Sequence, residues 1–451
     1  VAQGIPTVVL GAAQSGAGKT TATMVLIAGL RRRGLKVQPF KVGPDYLDPA
    51  LLSWVAGRTC LNLDAWLVPP EHLSELFHRA CVGADVAVVE GVMGLFDGRS
   101  GSGDQASTAA VARHLGASVV LVLDASRAAR TVGAVGLGLS SADPSLPVAG
   151  AILNRISSER HLETCLDGMR MVNLKPLGYV GRASELTLPD RYLGLISPHE
   201  SAPPLSLRTD LERASESLDL AAILAAARPA TANVAAQSLF PTQPLPIKRR
   251  IAIAKDRAFH FYYQDSLDLL EAWGAELVPF SPLGDRAVPA ADAVYLGGGY
   301  PELFAAELGA NRPMIESLRS AHEGGALIYA ECGGAMYAAA GIECEDGQRH
   351  PMVGLWPGWM SLRRSQLTVG YRQVRSVAAG FLDGWELPAH EFHRSQVSPA
   401  ETSGPSVWRV LDQGDRQEGF SSSGLIATYI HLHFGSKVGL AQAFIESCPA
   451  A

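Results

Sequence analysis

Charge and aromatic surface are both scarce in this 451-residue chain: Asp, Glu, Lys and Arg make up 18% of it, and Phe, Trp and Tyr only 7%. The charges nearly cancel, with 38 Lys and Arg against 44 Asp and Glu for a net −6. Binding to nucleic acid by phosphate neutralisation calls for a basic excess, so no nucleic-acid partner is expected. Cysteine is scarce as well. Cys60, Cys81, Cys165, Cys332, Cys344 and Cys448 form no CxxC pair and no close framework, which excludes a disulfide scaffold and reads as the reduced thiols of a cytoplasmic protein. No apolar run approaches the roughly 18 residues of a membrane span; Leu218 to Ala227, the longest candidate, is short and Ala-rich. The start, VAQGIPTVVLGAAQSG, has no basic n-region and enters a glycine-rich loop directly, unlike a signal peptide. The expectation is a soluble cytoplasmic chain with no membrane partner. Apolar residues are plentiful at 47%, enough for two to four domains of about 150 residues to bury full cores and to exclude wholesale disorder.

The first 180 residues alternate β-branched runs with helical patterns. Strands are expected at Thr7–Leu10, Lys36–Lys41, Val86–Glu90, Val119–Asp124 and Val148–Asn154, with segments such as Thr20–Gly34 and His72–Cys81 between them. That order predicts βαβ units and a mostly parallel sheet, and the nearly continuous apolar runs suit strands covered on both faces. From Pro198 to Pro246 prolines accumulate and periodicity fades, which reads as a tail helix near Asp210–Ala227 followed by a linker. A second α/β pattern has strands at Arg250–Ala254, Glu276–Phe280, Ala293–Leu296 and Ala326–Ala330 and closes with Gly424–His433. The division is residues 1–197, a tail and linker over 198–246, and residues 247–451, with no internal repeat.

Strand Thr7–Leu10 leads into GAAQSGAGKTT and a helix. Gly16 and Gly18 let the backbone from Ser15 through Ala17 fold tightly and turn its N–H groups toward phosphate oxygens, while the helix N-terminus adds its positive dipole end. Lys19 would then reach the β- and γ-phosphates of ATP, and the hydroxyl of Thr20, next to Thr21, would take a place on Mg²⁺. Ala13 stands where the strict pattern has Gly. Gln14 stands five residues before Lys19, where partitioning and division-site ATPases carry a lysine, which argues against a dimerising switch ATPase. Two acidic loops follow strands of the same sheet: VGPDYLDP, beside Lys41 and with Asp45, Tyr46 and Asp48, and GVMGLFDG, after Glu90 and with Asp97. Any one of these acids alone reads equally well as a solvated turn former. Together, at the carboxyl ends of strands, they point to a nucleotide site with Lys41 near the phosphates and with Thr20, Asp45 and Glu90 around Mg²⁺.

Ala326–Ala330 leads into Glu331-Cys332-Gly333-Gly334 and the helical run AMYAAAG. A thiol on a sharp strand-to-helix turn is exposed to substrate, and the helix N-terminus is expected to lower its pKa. The Gly333 N–H, with Gly298 and Gly299 of LGGGY, could form an oxyanion hole. A base is also required, and ATYIHLHF places His431 and His433 on one face of an expected strand. The other five cysteines read as small buried apolar residues. No HExxH or Cys/His cluster of known spacing suggests zinc.

SGAGKTT, PFKVGPDYLDP with AGRTCLNLDAW, VVEGVMGLFDG, LGGGYPE, AECGGAMY and YIHLHF occur in this order from Gly11 to Phe434. As a set they resemble the glutamine-dependent cobyrinic acid a,c-diamide synthases of cobalamin biosynthesis. The N-terminal half is similar to dethiobiotin synthetase, and the C-terminal half to class I glutamine amidotransferases of the cobyric acid synthase type. The resemblance implies an α/β chain with a P-loop synthetase domain and an α/β amidotransferase domain. It implies that Cys332 attacks the glutamine amide, giving a thioester and ammonia, with His431 raising its nucleophilicity. Relatives with a triad carry an acid two residues after the histidine; His433 stands there, so a dyad is expected. In the HEFH run, His390 and His393 are implied to lie near the glutamine site. ATP would phosphorylate an acetate carboxylate of the ring, and ammonia would displace the phosphate, with Tyr46, Asp48 and Asp97 placing the carboxylate. The implied partners are a tetrapyrrole, ATP and L-glutamine, and dethiobiotin synthetase-like domains often pair, so a homodimer is in view. Rival rings are hydrogenobyrinic acid and nickel sirohydrochlorin; the AAQSGAGKTT loop leans toward the aerobic-type ring and away from the cobalt one. The rival from another class is a P-loop regulatory protein fused to an inactive amidotransferase-like module.

Overall fold

The computed structural model describes residues 4–182, 186, 190–191, 194–195, 198–231, 237–363, 365–397 and 404–449. The chain divides into two compact units, Val1–Ala236 and Gln237–Ala451. The boundary expected at residue 197 lies outside the described residues.

In the first unit, β1 (Pro6–Ala12), β2 (Val37–Val42), β3 (Leu61–Leu63), β4 (Val86–Glu90), β5 (Ser118–Asp124), β6 (Val148–Ile156) and β7 (Pro176–Gly181) form a parallel sheet in the order β3-β2-β4-β1-β5-β6-β7. Strands β2 and β4 are buried along their whole length and β1 from Thr7 onward, as expected of a parallel sheet covered on both faces. The helix α1 (Lys19–Arg32) is buried without interruption from Ala22 to Leu30. A helix that is apolar all round needs cover on its outer side too. Part of that cover comes from α2 (Asp48–Ala56) and part from residues expected to be linker.

Residues 205–226 are two helices rather than one tail helix, Leu205–Ala214 and Leu220–Ala226. Asp219 breaks the run because its carboxylate accepts the N–H of Ala222 and caps the second helix. Leu207, Leu211, Leu218, Leu220 and Ile223 are buried in the core that holds Met24, Val25 and Leu26. Arg228 and Pro229 then pair antiparallel with Thr7 and Pro6. Residues 205–229 therefore belong to the first unit, with Pro204 opening the first helix and Pro229 in a strand.

The second unit carries a sheet in the order Ala275–Phe280, Arg249–Ala254, Ala293–Leu296, Leu327–Glu331, Leu425–Thr428, all parallel, with Phe420–Ser422 antiparallel at the edge. An antiparallel sheet, absent from the sequence expectation, runs Arg416–Glu418, Trp408–Val410, Thr368–Ser376, Glu386–His393, Ile430–His431. The expected strand Gly424–His433 is thus divided between two sheets. The crossing is held at Thr428, whose hydroxyl accepts the N–H of Ile430 at 2.9 Å and donates to Glu418 at 2.5 Å. Glu418 also accepts the N–H of Tyr429 at 2.7 Å, so the buried turn leaves these donors satisfied.

Candidate active site

The loop after β1 and the loop after β4 meet at the carboxyl ends of adjacent parallel strands. Gly18 begins α1 at φ 84°, and a methyl group there would lie 2.0 Å from Nδ2 of Asn154, so both the turn and the space call for glycine. That same Asn154 amide donates to the carbonyl of Ala17 at 2.9 Å, tying the phosphate loop to β6. Asn154 was expected only as a strand end; its place at the carboxyl edge of the sheet was the available signal. Lys19 Nζ donates to the carbonyls of Met93 at 2.5 Å and Gln14 at 3.2 Å. Burial, with Lys41 second, lowers its pKa to about 8. Ala13 to Gly16 are exposed, Ala17 is buried, and Thr20 and Thr21 are half-buried at the start of α1.

Behind the loop lies a carboxylate cluster. Lys41 Nζ sits 2.9 Å from Oδ2 of Asp48 and 3.1 Å from Oε1 of Glu90, and donates to the carbonyl of Gly91 at 2.9 Å. Burial works against its charge, but Glu90, Asp48 and Asp45 more than offset that and hold the ammonium well above its usual range. Lys41, expected at phosphate, is therefore engaged by acids, and Asp48, expected at substrate, is one of them. The Thr20 hydroxyl donates to Oε1 of Glu90 at 2.7 Å, while Oε2 of Glu90 is buried with no donor directed at it. Burial, with repulsion from Asp48 next, raises Asp45 to about 6. Burial also raises Glu90 to about 7, with Asp48 adding to it against Lys41. Asp45 additionally accepts the N–H groups of Leu47 and Asp48 at 2.8 and 3.1 Å, a turn-forming role beside its charge. Asp97 is exposed, accepts the Gly94 N–H at 2.9 Å and lies close enough to Lys19 to raise its pKa; Tyr46 is half-buried on the loop after β2.

In the second unit Cys332 leaves the strand Leu327–Glu331 at φ 48° and ψ −105°, a strained conformation for a residue with a Cβ. Its N–H donates to the carbonyl of Thr428 at 2.7 Å, so the turn is pinned to the neighbouring strand. The thiol lies 3.6 Å from the carbonyl of Phe392, which brings the HEFH strand to the nucleophile. Contrary to expectation, the thiol is not acidic. Burial pushes its pKa up, the Glu302 charge adds to that, and the Gly333 N–H only partly opposes them. The helix it begins, Gly333–Ala338, is short, and desolvation outweighs its N-terminal field. A base must therefore take the proton as the thiol reacts.

His431 is the imidazole that the fold brings to this glycine loop. A methyl group at Gly298 would come within 2.9 Å of Cε1 of His431, and one at Gly333 within 2.9 Å of the Gly299 nitrogen. The glycine loop, the Cys332 turn and the His431 ring thus converge. Tyr262, unremarked in the sequence, steadies that loop by accepting the Gly297 N–H at 2.8 Å and donating to Ala254 at 2.5 Å. His433 lies past the end of strand Ile430–His431 and is committed elsewhere: Nε2 is 3.0 Å from Oδ1 of Asp265, and Nδ1 accepts the Gly435 N–H at 3.0 Å. Its ring thus faces Asp265 and its own turn rather than the glycine loop that His431 faces. His390 pairs across the sheet with His431, and burial followed by the His431 charge drives its pKa down to about 3, so it is neutral. His393 stacks on Tyr429 at 4.0 Å and faces Glu391 at 3.1 Å.

A nucleotide-type P-loop in one unit and a thiol–histidine site at an oxyanion-type loop in the other define the class of glutamine-dependent amidating enzymes. Residues 8–195 match the CobQ/CobB/MinD/ParA nucleotide binding domain, and residues 250–438 the CobB/CobQ-like glutamine amidotransferase domain. The chain is 42% identical to a cobyrinate a,c-diamide synthase of Syntrophotalea carbinolica, covering 98% of each. It is 41% identical to one of Gloeobacter violaceus, over 98% of this chain and 97% of the relative. A third, of Salmonella typhimurium, is 37% identical over 97% of each. The chain belongs to the cobyrinate a,c-diamide synthase family.

Proposed function

We propose that this chain converts the a and c acetate carboxylates of cobyrinic acid to amides, using ATP and glutamine, in cobalamin biosynthesis. The observation that carries this reading is the likeness to cobyrinate a,c-diamide synthases along 98% of the chain, spanning both candidate sites. The relatives' names do not favour the lean toward the cobalt-free ring drawn from the Ala13 loop. The regulatory-protein alternative is disfavoured because Cys332, His431 and the glycine loop converge.

At the amidotransferase site, the Cys332 thiol gives its proton to His431 as sulfur attacks the glutamine amide. The Gly298, Gly299 and Gly333 N–H groups receive the developing oxyanion. Proton return from His431 to the amide nitrogen releases ammonia, and water then hydrolyses the γ-glutamyl thioester. At the P-loop, the backbone from Ser15 to Thr21 and Lys19 hold the ATP phosphates while a ring carboxylate attacks the γ-phosphorus, giving an acyl phosphate and ADP. Ammonia displaces phosphate from the acyl carbon. Tyr46 and Asp97 are the proposed contacts for the ring.

The proposed place for Mg²⁺ is the carboxylate cluster, although among the described residues no three His, Cys, Asp or Glu side chains are already gathered as a metal site. Glu90 offers a buried oxygen with no donor beside the Thr20 hydroxyl, and Asp45 and Asp48 leave the cluster with more negative charge than Lys41 balances. Thr20, Glu90 and Asp45 would hold the ion, which when bound neutralises charge on the transferring phosphoryl oxygens. Because Glu90 must shed a proton to serve, apparent Mg²⁺ affinity should rise by up to about tenfold per pH unit below about 7 and level off above it. Mg²⁺ titrations of ADP formation between pH 6 and 8 would read this; a pH-independent midpoint contradicts the assignment.

The function itself is tested by mass spectrometry of cobyrinic acid, hydrogenobyrinic acid and nickel sirohydrochlorin, each incubated with Mg·ATP and glutamine. Two carboxyl-to-amide conversions on cobyrinic acid are expected. Conversion confined to another ring, or to none, overturns the substrate.

A further inference from the structure

His433, two residues after His431, is turned toward Asp265. A different carboxylate faces His431. Glu331, the residue immediately before Cys332, is 2% exposed, and its Oε2 stands 3.9 Å from Nδ1 of His431. Three donors fix its carboxylate: Tyr295 Oη to Oε2 at 2.8 Å, Tyr329 Oη to Oε1, and the N–H of Leu432 to Oε1 at 3.1 Å. Burial, with the Glu331 charge next, holds both phenols far above their ordinary pKa, so they remain donors. A carboxylate has about four acceptor positions, and these three donors leave one on Oε2, the oxygen 3.9 Å from the imidazole.

We propose that Glu331 is the positioning carboxylate of His431, so that the glutaminase site is a Cys332–His431–Glu331 set in which the acid comes from the nucleophile strand. This rests on the reading of Cys332 and His431 as the glutamine-hydrolysing pair. Glu331 holds His431 in two ways, by facing its Nδ1 and by binding the backbone of the next residue, Leu432. Nδ1 keeps its proton toward Glu331, and Nε2 is the nitrogen that accepts the thiol proton. The imidazolium so formed lies beside the carboxylate. The 3.9 Å gap is that of a resting site, since such contacts tighten in the substrate complex. The strand Leu327–Glu331 thus presents base-orienting acid and nucleophile in consecutive positions, which is possible because the chain turns sharply between them at Cys332.

Glu331→Gln in the full chain keeps the shape and removes the charge. Glutaminase kcat should fall by about 10²-fold with KM for glutamine held within about threefold. Because the group facing the imidazole changes from a carboxylate to a neutral amide, the acidic limb of kcat against pH should move to lower pH. The rate of Cys332 alkylation by iodoacetamide should show the same limb shift without requiring turnover. If the wild-type chain hydrolyses glutamine and Glu331→Gln matches it in kcat and in both pH profiles, the positioning role is overturned while the function stands. If the wild-type chain does not hydrolyse glutamine, the functional reading itself fails. Should Glu331→Gln unfold, as a lowered thermal midpoint would report, Tyr295→Phe decides: a smaller kcat loss with the limb moved in the same direction supports the role, and an unchanged limb overturns it.

Discussion

Cys332→Ala is expected to abolish glutamine-dependent synthesis while leaving ammonia-dependent synthesis near the wild-type rate. Alanine keeps the Cβ that the φ 48° turn already accommodates and removes the sulfur alone. The sulfur's recorded hydrogen-bond partner is the Phe392 carbonyl at 3.6 Å, a weak contact, so little stability is at stake. On the proposed reading, what is lost is the atom that bonds to the glutamine amide carbon. Without it the thioester cannot form, and water must attack the glutamine amide unaided. Removing a nucleophile costs about 10³-fold or more, or at least about 4 kcal/mol of barrier. The synthetase chemistry uses residues of the first unit and needs only ammonia, so supplying ammonium at pH 8 or above should restore product. The paired measurement is diamide formation by mass spectrometry with glutamine or with ammonium chloride. Retained glutamine-dependent turnover would remove Cys332 from its role. Loss of both activities would mean that the substitution damages the fold or that the two half-reactions are not separable as argued. A pH profile adds a second reading: burial holds the thiol above its ordinary pKa, so glutamine-dependent turnover should fall as the solution is made acidic.

The residues that carry this argument differ in how far they could be seen in the sequence. Strands β1, β2, β4, β5 and β6 were legible because burial on both faces leaves a nearly continuous apolar run. β3 is only three residues long and β7 begins with proline, so neither offers a run of that kind. The antiparallel sheet was hidden for another reason. Its strands Thr368–Ser376 and Glu386–His393 bury charge: Arg372 pairs with Glu391 at 2.7 Å, and Arg416 reaches the same carboxylate from the sheet's edge at 2.8 Å. Charges that neutralise each other only after the strands pair look solvent-exposed in one dimension. The Cys332 turn and the P-loop were readable because glycine spacing encodes backbone shape locally. Its pKa was not, because the short helix and the depth of burial that decide the sign are tertiary facts. Likewise Glu331 and His431 are 100 positions apart and meet only because Leu425–Thr428 lies beside Leu327–Glu331. The repeated pattern of His431 and His433 suggested a shared face, yet the strand ends at His431 and His433 lies beyond it, beside Asp265 and the Gly435 N–H.

Lys19→Ala should eliminate synthesis with either nitrogen source, the opposite division from Cys332→Ala. The side chain begins α1 and reaches back across the loop to the carbonyls of Gln14 and Met93, both on exposed residues that water can serve in its absence. The fold should therefore survive. The chemistry should not. Phosphoryl transfer to a carboxylate brings two anions together, and catalysis rests on cations that offset the charge spread over the γ-phosphoryl oxygens. Lys41 cannot substitute, since Asp48, Glu90 and the Gly91 carbonyl hold its ammonium. Losing one preorganised charge at such a site costs about 10³-fold or more. Burial and Lys41 have also lowered Lys19 to about 8, so its charge is set by its surroundings and is drawn fully onto the nitrogen when an anion arrives. In the wild-type chain, nucleotide affinity measured without turnover should accordingly fall as pH rises through about 8, and in Lys19→Ala that dependence should vanish. Ring amidation with ammonium chloride, ADP release and glutaminase, assayed on one preparation, separate the outcomes. Glutaminase retained with both syntheses lost is the expected pattern. Substantial amide formation from ammonia would show that the phosphoryl transfer does not run through this loop, and the carboxylate cluster behind it would then need another explanation.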